Sequence, residues 1–139
     1  METEKLYKLV DELNIKLDFF PLPLNKSMAV NLDNHCYIAL DPSAVITPSQ
    51  ERVCLAHELG HCDTGSFYNV YSPFDLRTKH ELRADRWAIE KLIPLRELKA
   101  AIKQGCSDTA SLAEHFSVTE DFIGKALKYY SENSKHRTL

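Results

Sequence analysis

The chain has 139 residues, of which 44% are hydrophobic and 27% charged, and its formal net charge is −3. This composition excludes wholesale disorder, and no apolar run approaches the ~20 residues that a membrane-spanning helix needs. The mild acidity also argues against direct binding of nucleic acid, which needs a basic surface. The length predicts a single domain, organised as 1–50, 51–93 and 94–130 followed by a tail at 131–139.

The first part is predicted to be a helix followed by a small antiparallel sheet. Thr3 is the predicted N-cap of the helix, and five apolar residues at helical spacing define its buried face: Leu6, Leu9, Val10, Leu13 and Leu17. Residues 26–32 and 35–40 flank the two-residue turn Asp33-Asn34, and this pattern predicts a β-hairpin.

The second part is predicted to hold two helices, at residues 48–62 and 79–93, with Pro94 stopping the second. Residues 63–78 between them show no periodicity. An unpatterned stretch of this length inside a small domain is typical of a functional loop. The two helices and this loop are therefore where we expect the functional site.

The third part is predicted to be helical, at residues 94–104, 107–116 and 117–130, with Ser117 and Glu120 forming a capping box. The polar tail that follows is predicted to fray.

Residues 111–127 resemble a helix-turn-helix, which raises the hypothesis of a small DNA-binding regulator. The segment that would read DNA, residues 119–130, has no net charge, because two lysines are balanced by two acids: Lys125, Lys128, Glu120 and Asp121. Such a segment is a poor binder of phosphate. We therefore expect a helical pair that packs on the rest of the domain or docks a partner.

Residues 57–61 read His-Glu-Leu-Gly-His, an H-E-x-x-H motif on the first predicted helix of the second part. On an α-helix His61 lies one turn beyond His57 and about 40° around the axis, so both imidazoles can bind one metal ion. Glu58 lies about 100° around the axis, beside the ion, where its carboxylate could accept a proton from metal-bound water. A chance match is the alternative, but this helix also has an apolar back face.

The next helix carries two carboxylates, Glu81 and Asp85, in the middle of an otherwise apolar face. Burying an unpaired carboxylate is costly, so these acids need a cation or a hydrogen-bond donor. A zinc ion would supply it, with Glu81 as the third ligand and Asp85 orienting a ligand imidazole. The nitrogen-rich ligand set favours zinc over manganese. The alternative is ion pairing on a partly exposed face with neighbouring arginines: Arg77, Arg83 and Arg86.

These motifs resemble the ImmA/IrrE family of zinc metallopeptidases, over about residues 35–95. The resemblance is carried by HELGH at 57–61, ELRADRWA at 81–88, and LIP at 92–94. It implies an α+β, zincin-like fold with Glu58 as the catalytic base and three metal ligands: His57, His61 and Glu81. Two positions depart from the family's pattern: Trp87 stands where Phe is usual, and Asp85 where Asn is also common.

Known members of that family act in the bacterial cytoplasm, and several are encoded on phages or mobile elements. They cleave helix-turn-helix transcriptional repressors. The resemblance therefore implies a zinc endopeptidase whose protein substrate is such a repressor, with the strand at 35–40 available to bind it by strand addition. The alternative is a metal-stabilised module that sequesters a repressor without cutting it.

The residue that would stabilise the oxyanion is left open among four donors: His35, Tyr68, Tyr71 and His80. Of these, His80 is expected to face solvent. The cysteines, with no C-x-x-C pair and no signal peptide before them, predict four reduced thiols in a cytoplasmic protein: Cys36, Cys54, Cys62 and Cys106. The alternative is an extracellular protein with two disulfides. Cys54, one turn before His57, could in principle bind metal, but a core packing role is favoured for both Cys54 and Cys62.

Overall fold

The computed structural model of the chain describes residues 1–69 and 71–134. Along these residues the elements are α1 (Thr3–Glu12), β1 (Lys16–Phe19), β2 (Ser27–Leu32), β3 (His35–Leu40), α2 (Pro48–Thr64), α3 (Phe74–Leu92), α4 (Leu95–Lys103), α5 (Thr109–Phe116) and α6 (Glu120–Ser134). The predicted α+β fold class is confirmed. None of the described helices is both long enough and apolar enough to cross a membrane.

The three described strands form one sheet in the order β1-β3-β2. The predicted hairpin is confirmed, because β2 and β3 pair antiparallel. Its turn residues Asp33 and Asn34 have φ values of 53° and 64°, which is the conformation that a tight two-residue hairpin needs. The expectation of a purely antiparallel sheet is wrong, because β1 pairs with the other side of β3 in parallel.

The first helix is shorter than its apolar spacing predicts. It ends at Glu12, and Asn14 takes a left-handed φ of 55° as the chain turns into β1. Leu17 therefore lies in a strand, opposite Ile38 of β3. Leu17 follows the helical spacing of the preceding apolar residues by coincidence. A pattern of apolar residues does not show where the backbone leaves the helix.

Two predicted N-caps are wrong. Thr3 is already the first helical residue of α1, and Glu2 precedes it as the cap without a side-chain hydrogen bond. Ser117 ends α5 with a left-handed φ of 56°, and the Thr119 hydroxyl instead accepts the backbone N–H of Phe122 at the start of α6. The sharp reversal after α5 thus moves the start of α6 from the expected residue 117 to Glu120, three residues later.

The described residues between α2 (Pro48–Thr64) and α3 (Phe74–Leu92) are 65–69 and 71–73, so the loop is shorter than the predicted 63–78. The first turn of α3 escaped prediction because its side chains are exposed, Phe74 by 76% and Leu76 by 40%, and so show no buried apolar face. The back face of α2 is buried as expected, with Leu55, Ala56 and Leu59 fully inside the core.

The helices α2 and α3 approach each other closely at Gly60. A Cβ atom placed there would lie 2.7 Å from the backbone oxygen of Ala84 and 3.2 Å from the Cβ of Trp87. Only glycine allows this approach. The glycine of the HELGH motif and the alanine that it faces therefore have a packing role, which is to bring the two helices together.

The C-terminal helical pair is attached to α2 through Arg52, which is 8% exposed. Its guanidinium donates to the backbone oxygens of Ser117 at 3.0 Å and Phe116 at 3.3 Å. These bonds satisfy carbonyl groups at the end of α5, where a helix leaves acceptors unpaired. This packing agrees with the expected role of the pair. The prediction of a frayed tail at 131–139 is wrong for residues 131–134, which belong to α6, and the rest of that tail lies outside the described residues.

The expectation of four reduced thiols is wrong for two of them, because Cys36 of β3 and Cys62 of α2 form a disulfide. Their Cα atoms are 5.8 Å apart, within the range that a disulfide requires. Cys54 and Cys106 are free and partly buried. The linear spacing of the cysteines held no information about this pair, because the packing of α2 on the sheet creates it.

We expect the disulfide to stabilise the fold by closing a loop of 26 residues. Replacing both Cys36 and Cys62 with Ser should lower the free energy of unfolding by ~3.5 kcal/mol in the chain-entropy model. Urea denaturation without reductant measures this, with Cys54→Ser/Cys106→Ser as the matched control. A thiol assay on denatured, unreduced wild type should count two thiols, whereas a count of four would contradict the disulfide.

We expect Gly60→Ala to force α2 and α3 apart, because the new methyl group would overlap the Ala84 carbonyl. The free energy of unfolding should fall by about 1–3 kcal/mol, as is typical of overpacking. Zinc binding should weaken as well, since the two helices hold different parts of the candidate site. Gly124→Ala is the control, because a Cβ there meets nothing within 4 Å. Equal melting temperatures for the two variants would show that the close approach is unimportant.

Candidate metal centre

Three side chains from two helices converge on one point. His57 and His61 lie one turn apart on α2, and Glu81 lies on α3. Ligand atoms from all three lie within 4.8 Å of one another. The two Nε2 atoms are 3.2 Å apart, and the Glu81 carboxylate oxygens lie 2.8 Å from Nε2 of His57 and 3.0 Å from Nε2 of His61. The structure thus brings together the three residues that the sequence predicts as metal ligands.

The spacing and chemistry of these donors fit a zinc ion. Two ligands that bind tetrahedral zinc at ~2.1 Å lie ~3.4 Å apart, close to the 3.2 Å between the Nε2 atoms. Two imidazoles and one carboxylate are also a donor set of catalytic zinc sites, which keep a fourth position open. Since two imidazole nitrogens and a carboxylate all present lone pairs here, a cation or a proton has to lie among them.

His57 is held from behind by Asp85. The Nδ1 of His57 lies 2.8 Å from Asp85 Oδ1, so the ring donates its Nδ1 proton to the carboxylate and presents Nε2 to Glu81. The other carboxylate oxygen of Asp85 lies 3.4 Å from Nζ of Lys125 on α6. Asp85 therefore occupies the position expected of a residue that orients a ligand imidazole. The contact with Lys125 was not predicted.

His61 is oriented by a backbone group that sequence reasoning missed. Gly65 ends α2 with a left-handed φ of 67°, and the chain folds back so that the Ser66 N–H donates to the His61 carbonyl at 3.0 Å. The Ser66 carbonyl in turn accepts the Nδ1 proton of the His61 ring. A glycine directly after a helix is a sequence signal for such a reversal. The glycine alone does not predict which backbone carbonyl will accept the hydrogen bond from the His61 ring.

Glu81 is contacted from the loop by Tyr68, whose hydroxyl donates to Oε1 at 2.8 Å. The phenol ring is stacked on His80, with ring centroids 6.5 Å apart and planes inclined by 13°. His80 is therefore partly buried against Tyr68 and does not simply face solvent as expected. Burial and the neighbouring Glu81 raise the pKa of Tyr68 to about 12, so its hydroxyl keeps its proton at neutral pH.

Glu58 lies beside the three ligand candidates and is 5% exposed. Its Oε2 accepts a hydrogen bond of 2.6 Å from the hydroxyl of Ser27 on β2. Burial raises the pKa of the Glu58 carboxyl, and His57 opposes this effect by attraction. The sequence predicts the place of Glu58 from helix geometry, but it carried no signal for the serine, which lies on a different element.

The pKa shifts of His57 and Glu81 show that the site favours a positive charge. Burial lowers the pKa of His57, but hydrogen bonds to Asp85 and Glu81 outweigh burial and raise the pKa to about 10. Burial likewise raises the pKa of Glu81, but the bonds from His57 and His61 outweigh it and hold this pKa well below its usual range. In the metal-free protein a proton on His57 therefore supplies the positive charge that a metal ion would bring.

The remaining candidates lie outside this cluster. His35 is exposed at the start of β3, and Tyr71 is 91% exposed. Cys54 is not among the clustered ligand atoms, and burial raises the pKa of its thiol. Glu81 and Asp85 are only partly buried, with side chains 38% and 16% exposed. Among the described residues, their ion pairs are with His57, His61 and Lys125, and not with the arginines considered above.

A comparison with protein families places the chain in a known family. The model of the peptidase M78 family, described as an IrrE N-terminal-like domain, matches residues 10–128. The matched segment includes both helices that carry the candidate ligands, and it confirms the resemblance drawn from their motifs. No curated protein matches the chain.

We expect zinc binding to release protons, because a protonated imidazole cannot bind the metal and the pKa of metal-free His57 is raised to about 10. Isothermal titration near pH 7, in buffers of different ionisation enthalpy, should show release of about one proton for each zinc bound. Zinc affinity should fall as the pH falls. His57→Gln should weaken binding strongly, whereas the exposed His115→Gln should not. A binding heat that is independent of the buffer would contradict this assignment.

Proposed function

The chain belongs to the M78 peptidase family, a metallopeptidase family, and on this premise we propose that it is a zinc endopeptidase that cleaves a helix-turn-helix transcriptional repressor. The observation that supports the proposal is the convergence of His57, His61 and Glu81 with Glu58 beside them. The choice of a repressor as substrate, and of the bacterial cytoplasm as the place of action, rests on the family resemblance of the motifs.

Metal binding and proton transfer in peptide hydrolysis are assigned to different residues of the chain. We assign His57, His61 and Glu81 to hold zinc, which when bound polarises a carbonyl group and makes a water molecule acidic enough to lose its proton near neutral pH. Glu58 accepts that proton as general base and later passes it to the leaving amine. Its burial favours this role, because a raised pKa makes the Glu58 carboxylate a stronger base than an ordinary glutamate.

Tyr68 is the donor that we assign to the oxyanion. Of the four donors considered from the sequence, Tyr68 has its hydroxyl at the metal centre, 2.8 Å from Glu81. A phenol that keeps its proton at neutral pH can donate to a developing negative charge. Its stacking on His80 limits the positions that the ring can take.

The substrate strand is assigned to the free edge of β2. The expected edge, residues 35–40, is wrong, because β3 is the central strand and pairs with both β1 and β2. In the described sheet β2 has a neighbour on one side only, and it packs against α2, which carries the metal ligands. An extended peptide could add to this edge by backbone hydrogen bonds.

We expect Glu58→Gln to keep zinc and lose proteolysis, because the amide preserves shape but cannot accept the proton. The probe is a peptide library made by digesting a bacterial proteome, with new amino termini identified by mass spectrometry and one cleaved peptide then used as a quenched fluorescent substrate. Turnover should fall at least ~100-fold, as for the loss of a general base. Elemental analysis should show equal zinc in both proteins and a loss of zinc in His57→Ala.

Glu114→Gln is the matched control, since Glu114 is an exposed carboxylate on α5. It should keep full turnover. Cleavage by Glu58→Gln at the wild-type rate would refute the catalytic assignment. Binding of a helix-turn-helix repressor that stays uncut and tolerates Glu58→Gln would instead support the sequestering module.

A further inference from the structure

We propose that Ser27 is a positioning residue: its hydroxyl fixes the orientation of the Glu58 carboxylate relative to a substrate strand bound at the edge of β2. The proposal rests on the proposed function, because it concerns the general base and the free edge of β2. Ser27 belongs to neither motif of the resemblance and is 31 residues from Glu58 in the chain. Its position at the first residue of β2 places it where the sheet meets α2.

The side chain of Ser27 restrains one half of the Glu58 carboxylate. The Ser27 hydroxyl donates to Oε2 at 2.6 Å, which leaves Oε1 available to accept a proton from water. A glutamate side chain has three rotatable bonds, and its carboxylate needs an anchor to keep one orientation. Glu58 is 5% exposed, so water competes little with the serine for this oxygen.

The backbone of Ser27 points in the other direction, toward the free edge of β2. Ser27 is paired with Leu40, but the Leu40 carbonyl accepts the N–H of Phe20, on the β1 side of β3. The adjacent pair, just beyond the ends of β2 and β3, is hydrogen-bonded, because the Asp41 N–H donates to the Lys26 carbonyl. In an antiparallel ladder bonded and non-bonded pairs alternate, so Ser27 and Leu40 form a non-bonded pair. The N–H and C=O of Ser27 therefore lie on the open side of the sheet.

Ser27 is thus placed to bind the substrate backbone and to hold Glu58 at the same time. Its backbone groups are available to pair with an extended substrate, and its side chain holds the group that would activate the attacking water. A strand added to β2 would be placed in a defined register relative to Glu58. Catalytic groups need positions accurate to about 0.5 Å, and displacement of about 1 Å can cost ~100-fold in rate.

We expect Ser27→Ala to lower kcat ~10-fold, a smaller loss than removal of the base itself, while KM stays within about twofold because the backbone edge is intact. Ser27→Thr keeps the hydroxyl and suits a strand, so it should restore most of kcat. Zinc content and melting temperature should match the wild type. Thr109→Ala is the matched control, because it removes a similar hydroxyl-to-carboxylate bond, 3.0 Å to Glu120, in the C-terminal helical pair.

The outcomes separate this proposal from the proposed function. If Glu58→Gln is inactive but Ser27→Ala keeps the wild-type kcat, positioning by Ser27 is refuted and the peptidase assignment stands. If Glu58→Gln is as active as wild type, both proposals fail. Crystal structures of zinc-loaded wild type and Ser27→Ala give a readout independent of turnover. A single Glu58 rotamer shared by both would overturn the proposal, whereas a carboxylate that moves only in Ser27→Ala would support it.

Discussion

The close packing of α2 against α3 is the constraint on which the candidate site depends. Its ligand set is divided between the two helices, so neither helix can form the centre alone. The carboxylate of Glu81 reaches His57 and His61 only if the helices are close, and Gly60 permits this because it has no Cβ to meet Ala84. In the segment His-Glu-Leu-Gly-His, the His and Glu side chains lie at the candidate centre, whereas Gly60 allows the two helices to pack closely.

Charge balance is the second constraint on the centre. Carboxylates and imidazoles meet here in a partly buried site, where each interaction is stronger than in bulk solvent. In the metal-free protein the raised pKa of His57 stabilises the fold fully below the unfolded value of 6.5, and this contribution is lost as the pH rises through about 10. A dication replaces that proton, so metal binding, protonation and stability are linked.

The sheet contributes to the site as well as supporting it. The edge strand β2 supplies the hydroxyl of Ser27 to the buried carboxylate of Glu58. The central strand β3 is joined to the last turn of α2 by the disulfide between Cys36 and Cys62, directly after His61. The metal-binding helix is therefore fixed to the sheet at two places, and a substrate bound along β2 would lie against a restrained helix.

The sequence by itself determined which residues meet at the candidate centre: His57, His61 and Glu81, with Glu58 beside them. It could do so because the angle between residues one turn apart is a local property of a helix, and because an acid on an otherwise apolar face is expected to have a cationic partner. It also determined the β2–β3 hairpin through its turn. Only the tertiary structure decided the parallel strand β1, the Ser66 carbonyl on His61, the Ser27 hydroxyl on Glu58 and the disulfide. These contacts depend on how the chain turns at Asn14 and Gly65 and on how the sheet lies on α2, and no local periodicity records that packing.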